Sequence, residues 1–183
     1  MVVAPLHATQ ILWTNLVTDG APALALGLDP AEPDVMRQRP RPRGSSVITR
    51  EMWFGIGFVG VIVAAGTLLV LDASLPGGLI AGSGSIEYGR TMAFTTLILF
   101  QMFNVFSSRS DTHSAFYRLF HNPWLWGSVA LSVALQVVVV YVPFLQQAFD
   151  TVPLQGSDWL LCTLVASSVL WLRELSKVVR RFA

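Results

Sequence analysis

Apolar residues in this chain gather into five continuous blocks. They cover about residues 6–28, 52–71, 91–107, 124–142 and 157–176. No period-2 alternation competes with these runs, so each predicts a helix, and blocks this long and this apolar predict a lipid surround. A spanning helix needs roughly 20 residues. The last block is purely apolar only from Trp159 to about Leu172, so it must borrow length from the amphipathic flank at 175–179. The predicted fold is all-α integral membrane. It is a bundle of five transmembrane helices in one domain, 1–183, with the first helix interrupted at Thr18 to Pro22.

Composition supports that class. The chain has 183 residues, 53% hydrophobic and 13% charged, with a mean hydropathy of +0.57. A soluble domain of this size needs a more charged surface. The single cysteine, Cys162, lies in an apolar run and cannot form an internal disulfide or a cysteine-based metal cluster. It reads as a small buried hydrophobe. The first block has no basic start and carries polar residues, which argues against a cleavable signal peptide.

Charge then orients the helices. Arg37, Arg39, Arg41, Arg43 and Arg50 follow the first helix, Arg109 and Arg118 follow the third, and Arg173, Lys177, Arg180 and Arg181 lie at the C-terminal end. Eleven of the twelve basic residues therefore fall on one side if five helices alternate. The positive-inside rule predicts cytoplasmic linkers at 29–51 and 108–123, a cytoplasmic tail at 173–183 and an N-terminus outside. Trp53, Trp124, Trp126, Trp159 and Trp171 fall near predicted helix ends, where indole rings favour the interface. A chain that begins outside with "MVVAPLHATQ" is expected to be the back part of something longer.

The chemistry sits in the first helix, "QILWTNLVTDGAPALALGL". Asn15, Thr18 and Asp19 stand at i, i+3 and i+4 and share one face of an α-helix. A carboxylate in a bilayer core costs several kcal/mol, on the order of 3 on insertion scales, unless it is paired or lines a cavity. Gly20 and Pro22 weaken the helix at that point, and an unwound turn would free backbone carbonyls. A carboxylate, an amide oxygen, a hydroxyl and carbonyls form an all-oxygen set suited to a hard cation. Broken helices at mid-membrane are a recurring way to build ion sites in transporters. The plainer account is interhelical hydrogen bonding by Asn15 and Thr18, with Asp19 paired to a neighbour.

These residues carry a resemblance. "LWTNLVTDGAPALALGLDP" resembles the sixth transmembrane helix of type II P-type cation-transporting ATPases, above all the calcium pumps of the sarcoplasmic-reticulum type. "DPAEPDVMRQRPRPR" is similar to the loop between that family's sixth and seventh helices. "RTMAFTTLILFQMFNVFSSRS" resembles its eighth helix, "NPWLWGSVALSVALQVVVVYVPFLQQAF" its ninth, and "PLQGSDWLLCTLVASSVLWLRELSKVVRR" its tenth with the tail. The resemblance implies that Asn15, Thr18 and Asp19 coordinate transported calcium, with the aspartate shared between two sites. It implies a further ligand at Gln101, where the calcium pumps carry a glutamate. Glutamine keeps an oxygen and loses the charge, which leaves room for one ion per cycle or for manganese.

Nothing in the chain resembles the "DKTGT" phosphorylation motif, the nucleotide-binding or actuator domains, or helices one to five. Calcium wants 6 to 8 oxygens, so this chain supplies about half a site. The resemblance therefore implies a module that hydrolyses no ATP alone. ATP and Mg would act through the missing domains, and the partners would be the rest of a pump, in the same or a partner chain, and the lipid bilayer. No nucleic-acid partner is expected. Two alternatives stay open: a non-catalytic remnant or regulator that docks on an intact pump, and a module specific for manganese, sodium, protons or magnesium. The expected location is a plasma membrane, of bacterial type.

Two further features have simple readings. Gly55 to Gly60 spells GxGxxG, yet it follows no strand and opens no βαβ unit, so close helix approach explains it better than nucleotide binding, with Ala64, Ala65 and Gly66 extending the small-residue pattern. The linker Arg37 to Arg50 attracts anionic headgroups by about 1 kcal/mol per basic residue. By resemblance, it also couples to a phosphorylation domain, with Pro30, Pro33, Pro40 and Pro42 holding it extended.

Overall fold

Local signals in the chain set the boundaries of the helices Ile86–Ser107, Pro123–Tyr141 and Pro143–Phe149. The computed structural model describes residues 5–29, 48, 50–75, 82, 84–109, 114–115 and 120–182, and their side chains except at 18, 19, 50, 51 and 180–182. The linker carrying Arg37 to Arg43 and its prolines lies outside the described residues. Among those described, the elements in order are α1 (Ala8–Thr14), a π-helical stretch π1 (Asn15–Gly20), α2 (Ala21–Gly27), α3 (Arg50–Ser74), α4 (Ile86–Ser107), α5 (Pro123–Tyr141), α6 (Pro143–Phe149) and α7 (Gly156–Phe182). The molecule is all-α, as the hydrophobic blocks predict.

Caps account for the starts. Ser85 accepts from the Tyr88 N–H at 3.2 Å and opens α4 at Ile86, ahead of the predicted 91. Asn122 accepts from the Leu125 N–H at 3.1 Å, and Pro123 follows at the first helical position of α5. Pro143 ends α5 by holding Val142 extended (φ −83°, ψ 119°) and begins α6, an element the sequence reading left as linker. Asp150 closes α6 in the left-handed region (φ 52°), which a short polar side chain tolerates.

Helix α4 sits at the centre, packed between α3 and α7 with α5 alongside. Phe94, Ile98 and Phe100 are fully buried, as are Thr91, Thr95 and Thr96. The hydroxyls cost little there because they bond back to their own helix: Thr91 to the Glu87 carbonyl at 2.8 Å and Thr96 to the Met92 carbonyl at 2.7 Å. The outer helices are apolar on their exposed sides. Helices Met52–Ser74, Pro123–Tyr141 and Gly156–Val179 are long and apolar enough to cross a membrane, by length and composition. The last of these is the weak fifth block, which does extend through its amphipathic flank. Lys177, read as a topological charge, is buried on it and donates to Glu174 at 3.2 Å.

Close approach of α3 and α4 depends on Gly66 rather than on the GxGxxG letters. A Cβ at Gly55, Gly57 or Gly60 would meet nothing within 4 Å, whereas one at Gly66 would come within 2.5 Å of the buried Phe100 ring. Gly66→Ala is therefore expected to lower the unfolding free energy by about 1–3 kcal/mol, and Gly60→Ala to leave it unchanged. Equal denaturation midpoints for the two variants would sink this account of the packing.

Two clusters pin the ends of the first helix. At its start, His7 Nε2 lies 3.0 Å from Asp150 and 2.9 Å from Arg90 Nη1, and Gln10 donates to the Phe149 carbonyl at 2.9 Å. At its other end, Arg109 grips Asp29 with two hydrogen bonds, Nε to Oδ2 at 2.9 Å and Nη2 to Oδ1 at 3.2 Å.

Candidate cation site on the interrupted helix

The break in the first helix is a change of register. Residues Asn15–Gly20 stay wound, but as a π-helix in which each carbonyl pairs five residues on rather than four. The expected unwound turn is therefore corrected to a widened one. Pro22 has no N–H, so one carbonyl loses its donor in either register: Thr18 in an α-helix, Val17 in a π-helix. In the π register the Val17 carbonyl would look to Pro22 and find no donor, while the Ala21 N–H is taken by Leu16. A carbonyl is freed by arithmetic, without unwinding.

That carbonyl is met from another helix. Ser132 on α5 is 1% exposed, and its hydroxyl donates to the Val17 carbonyl at 3.0 Å. A second donor from the start of α5 repeats the arrangement one step along: Asn122 Nδ2 bonds the Ala25 carbonyl at 2.8 Å. Gln136, one turn beyond Ser132, donates to the Thr95 hydroxyl of α4 at 3.2 Å. Sequence reasoning passed over Ser128, Ser132 and Gln136. Their four-residue spacing, the only polar stripe in an otherwise apolar block, is a signal that one face of α5 turns inward.

The site residues read from the sequence are placed as follows. Asn15, Thr18 and Asp19 all lie on π1. A π-turn takes more residues than an α-turn, so the shared face inferred from i, i+3, i+4 spacing does not carry over unchanged. The Asn15 side chain is exposed, while its neighbours Thr14 and Val17 are buried. The side chains of Thr18 and Asp19 lie outside the described residues. Gln101 is half-buried on α4, which packs against π1. It lines an open cavity of about 440 Å³ with Asn104, Ser108 and Arg173 on one side and Val59, Gly60 and Val63 of α3 on the other. Asn104 Oδ1 is buried there without a hydrogen-bond partner among the described residues. Among those residues, no hydrogen bond joins Asn15 to Gln101.

Residues 3–179 match the family described as "Cation transporting ATPase, C-terminus". The chain is 39% identical over 174 residues to Calcium-transporting ATPase 1 of Yarrowia lipolytica, covering 94% of this chain and 18% of that protein. It is 39% identical over 157 residues to a calcium-transporting ATPase of Bacillus subtilis, covering 86% and 17%. With the human calcium-transporting ATPase type 2C member 1 the identity is 38% over 178 residues, covering 97% and 19%. The chain thus spans less than a fifth of the length of these relatives. Its apolar helices are those of an integral membrane protein, and the chain belongs to the cation-transporting ATPase C-terminal family.

Proposed function

We propose that this chain is the C-terminal transport module of a P-type calcium pump and that it contributes Asn15, Thr18, Asp19 and Gln101 to the transported ion's coordination. The observation that carries the reading is the π-turn. A carboxylate, an amide and a hydroxyl stand on a helix whose register is broken at that very stretch, and π-turns recur at functional sites. The relatives named above supply calcium as the ion, since each is called a calcium-transporting ATPase. Gln101 adds a neutral oxygen from α4, which supports one ion per cycle rather than two. The remaining oxygens that calcium needs would come from outside this chain.

In this reading ATP and Mg act through the rest of the pump, and the five helical spans alternate in a bacterial plasma membrane with the N-terminus outside and the C-terminus in the cytoplasm. Phosphorylation elsewhere would switch the site from inward to outward access. The test is uptake of radiolabelled calcium into vesicles containing the whole pump, with manganese, sodium, protons and magnesium as competitors. Calcium uptake that only manganese competes for supports the reading. Uptake indifferent to calcium, or driven by sodium or protons, overturns it.

A further inference from the structure

We infer that Ser132 is a positioning residue for the cation site: by taking the Val17 carbonyl onto its hydroxyl, it holds π1 in its widened register. The inference rests on the proposed transport reading and adds a residue to it from a helix that carries none of the proposed ligands.

Pro22 removes the donor that the Val17 carbonyl would use in a π register, and Val17 is buried where the stretch packs against α5 and α4. A buried carbonyl without a donor is costly, so the chain has two ways out. The segment can slip back into α register, in which the Ala21 N–H returns to Val17 and the Thr18 carbonyl faces Pro22 without a donor instead. Or an outside donor can meet the carbonyl. Ser132 is that donor, 1% exposed, at 3.0 Å, and 115 positions away in sequence.

The choice between registers matters for the site because the π-turn is equivalent to one inserted residue. Removing it turns the two halves of the helix by about 100° relative to each other. Asn15 lies at the first residue of the widened stretch, and Asp19 lies four residues on. A slip would carry ligands on one half away from those on the other. The second donor, Asn122 on the Ala25 carbonyl, fixes the far half against the same helix, so α5 grips the interrupted helix on both sides of Pro22. Ser132 thereby sets the geometry in which a cation is met and touches no cation itself.

The test uses the complete pump in membrane vesicles and reads the calcium dependence of transport separately from its maximum. Ser132→Ala is expected to raise the calcium concentration for half-maximal transport roughly tenfold, in line with the loss of a buried hydrogen bond that leaves its acceptor unpaired, with the maximal rate within twofold of wild type. Ser132→Thr keeps the hydroxyl and is expected to match wild type. Ser132→Cys, close in size and a weak donor, is expected to fall between and covers the case in which the alanine variant does not accumulate. An unshifted calcium dependence in the alanine or cysteine variant overturns the inference, as does an equal shift in the threonine one. Asp19→Asn run alongside separates the two claims. If it abolishes transport while the Ser132 variants leave calcium dependence alone, only the positioning role fails. If it changes nothing, the transport site fails and the inference with it.

Discussion

Asp19→Asn is expected to abolish cation transport by the pump that contains this chain, with a fall of more than roughly 100-fold, beyond what loss of a supporting group around a metal costs. The amide keeps one oxygen and the shape of the side chain but removes the negative charge that pays for stripping water from a divalent cation. The same change makes the helix cheaper to insert, because a neutral amide is less costly in a bilayer than a carboxylate. Membrane abundance should therefore hold or rise while transport disappears, which separates a site defect from a folding defect. The measurement is radiolabelled calcium uptake normalised to pump content. Uptake within twofold of wild type at the same half-saturating calcium would remove Asp19 from the site.

Breaking the Asp29–Arg109 pair is expected to have the largest effect on stability. The two side chains are 16% and 11% exposed, and the guanidinium bonds both carboxylate oxygens. Position explains why the pair exists. Asp29 follows the C-terminal end of α2, where the helix dipole disfavours a negative charge, and Arg109 follows the C-terminal end of α4, where it is favoured. Removing Arg109 therefore leaves Asp29 doubly disfavoured. Arg109→Ala should lower the unfolding free energy of the assembled pump by about 3 kcal/mol, typical of a nearly buried charge that loses its partner. Asp29→Asn together with Arg109→Gln should cost less than the sum of the two singles, and the exchange Asp29→Arg with Arg109→Asp should recover part of the loss. Additive effects in that cycle would mean that the pair does not act as a unit.

Much of this was legible in the chain. Lys and Arg grouping, block length and Trp placement predict membrane helices because the bilayer imposes one rule on every residue alike, and rules of that kind survive without knowledge of neighbours. The first helix announced its own interruption through Asp19, Gly20 and Pro22. The form of the interruption was not legible. Gly and Pro are as compatible with unwinding as with a π-turn, and only the packing of α5 against π1 decides between them. The short helix α6 was missed for a related reason: Pro143 reads locally as a stop, and its second role as a start depends on the left-handed Asp150 and its contacts with His7 and Arg90. Lys177, counted toward topology, is also buried on α7 and paired with Glu174, a contact that charge grouping does not report.

The sequence by itself determined the class, the five apolar blocks, the polar triplet on a weakened helix and the family, all of which follow from residue type and order along one dimension. Only the tertiary structure decided that α4 is the central helix, that Gly66 rather than the GxGxxG stretch allows α3 to approach it, and that a serine on α5 meets the carbonyl Pro22 leaves free. Each of these pairs residues from different helices, Gly66 with Phe100 and Ser132 with Val17. Helical periodicity reports which face a residue occupies, and carries no information about which other helix that face will meet.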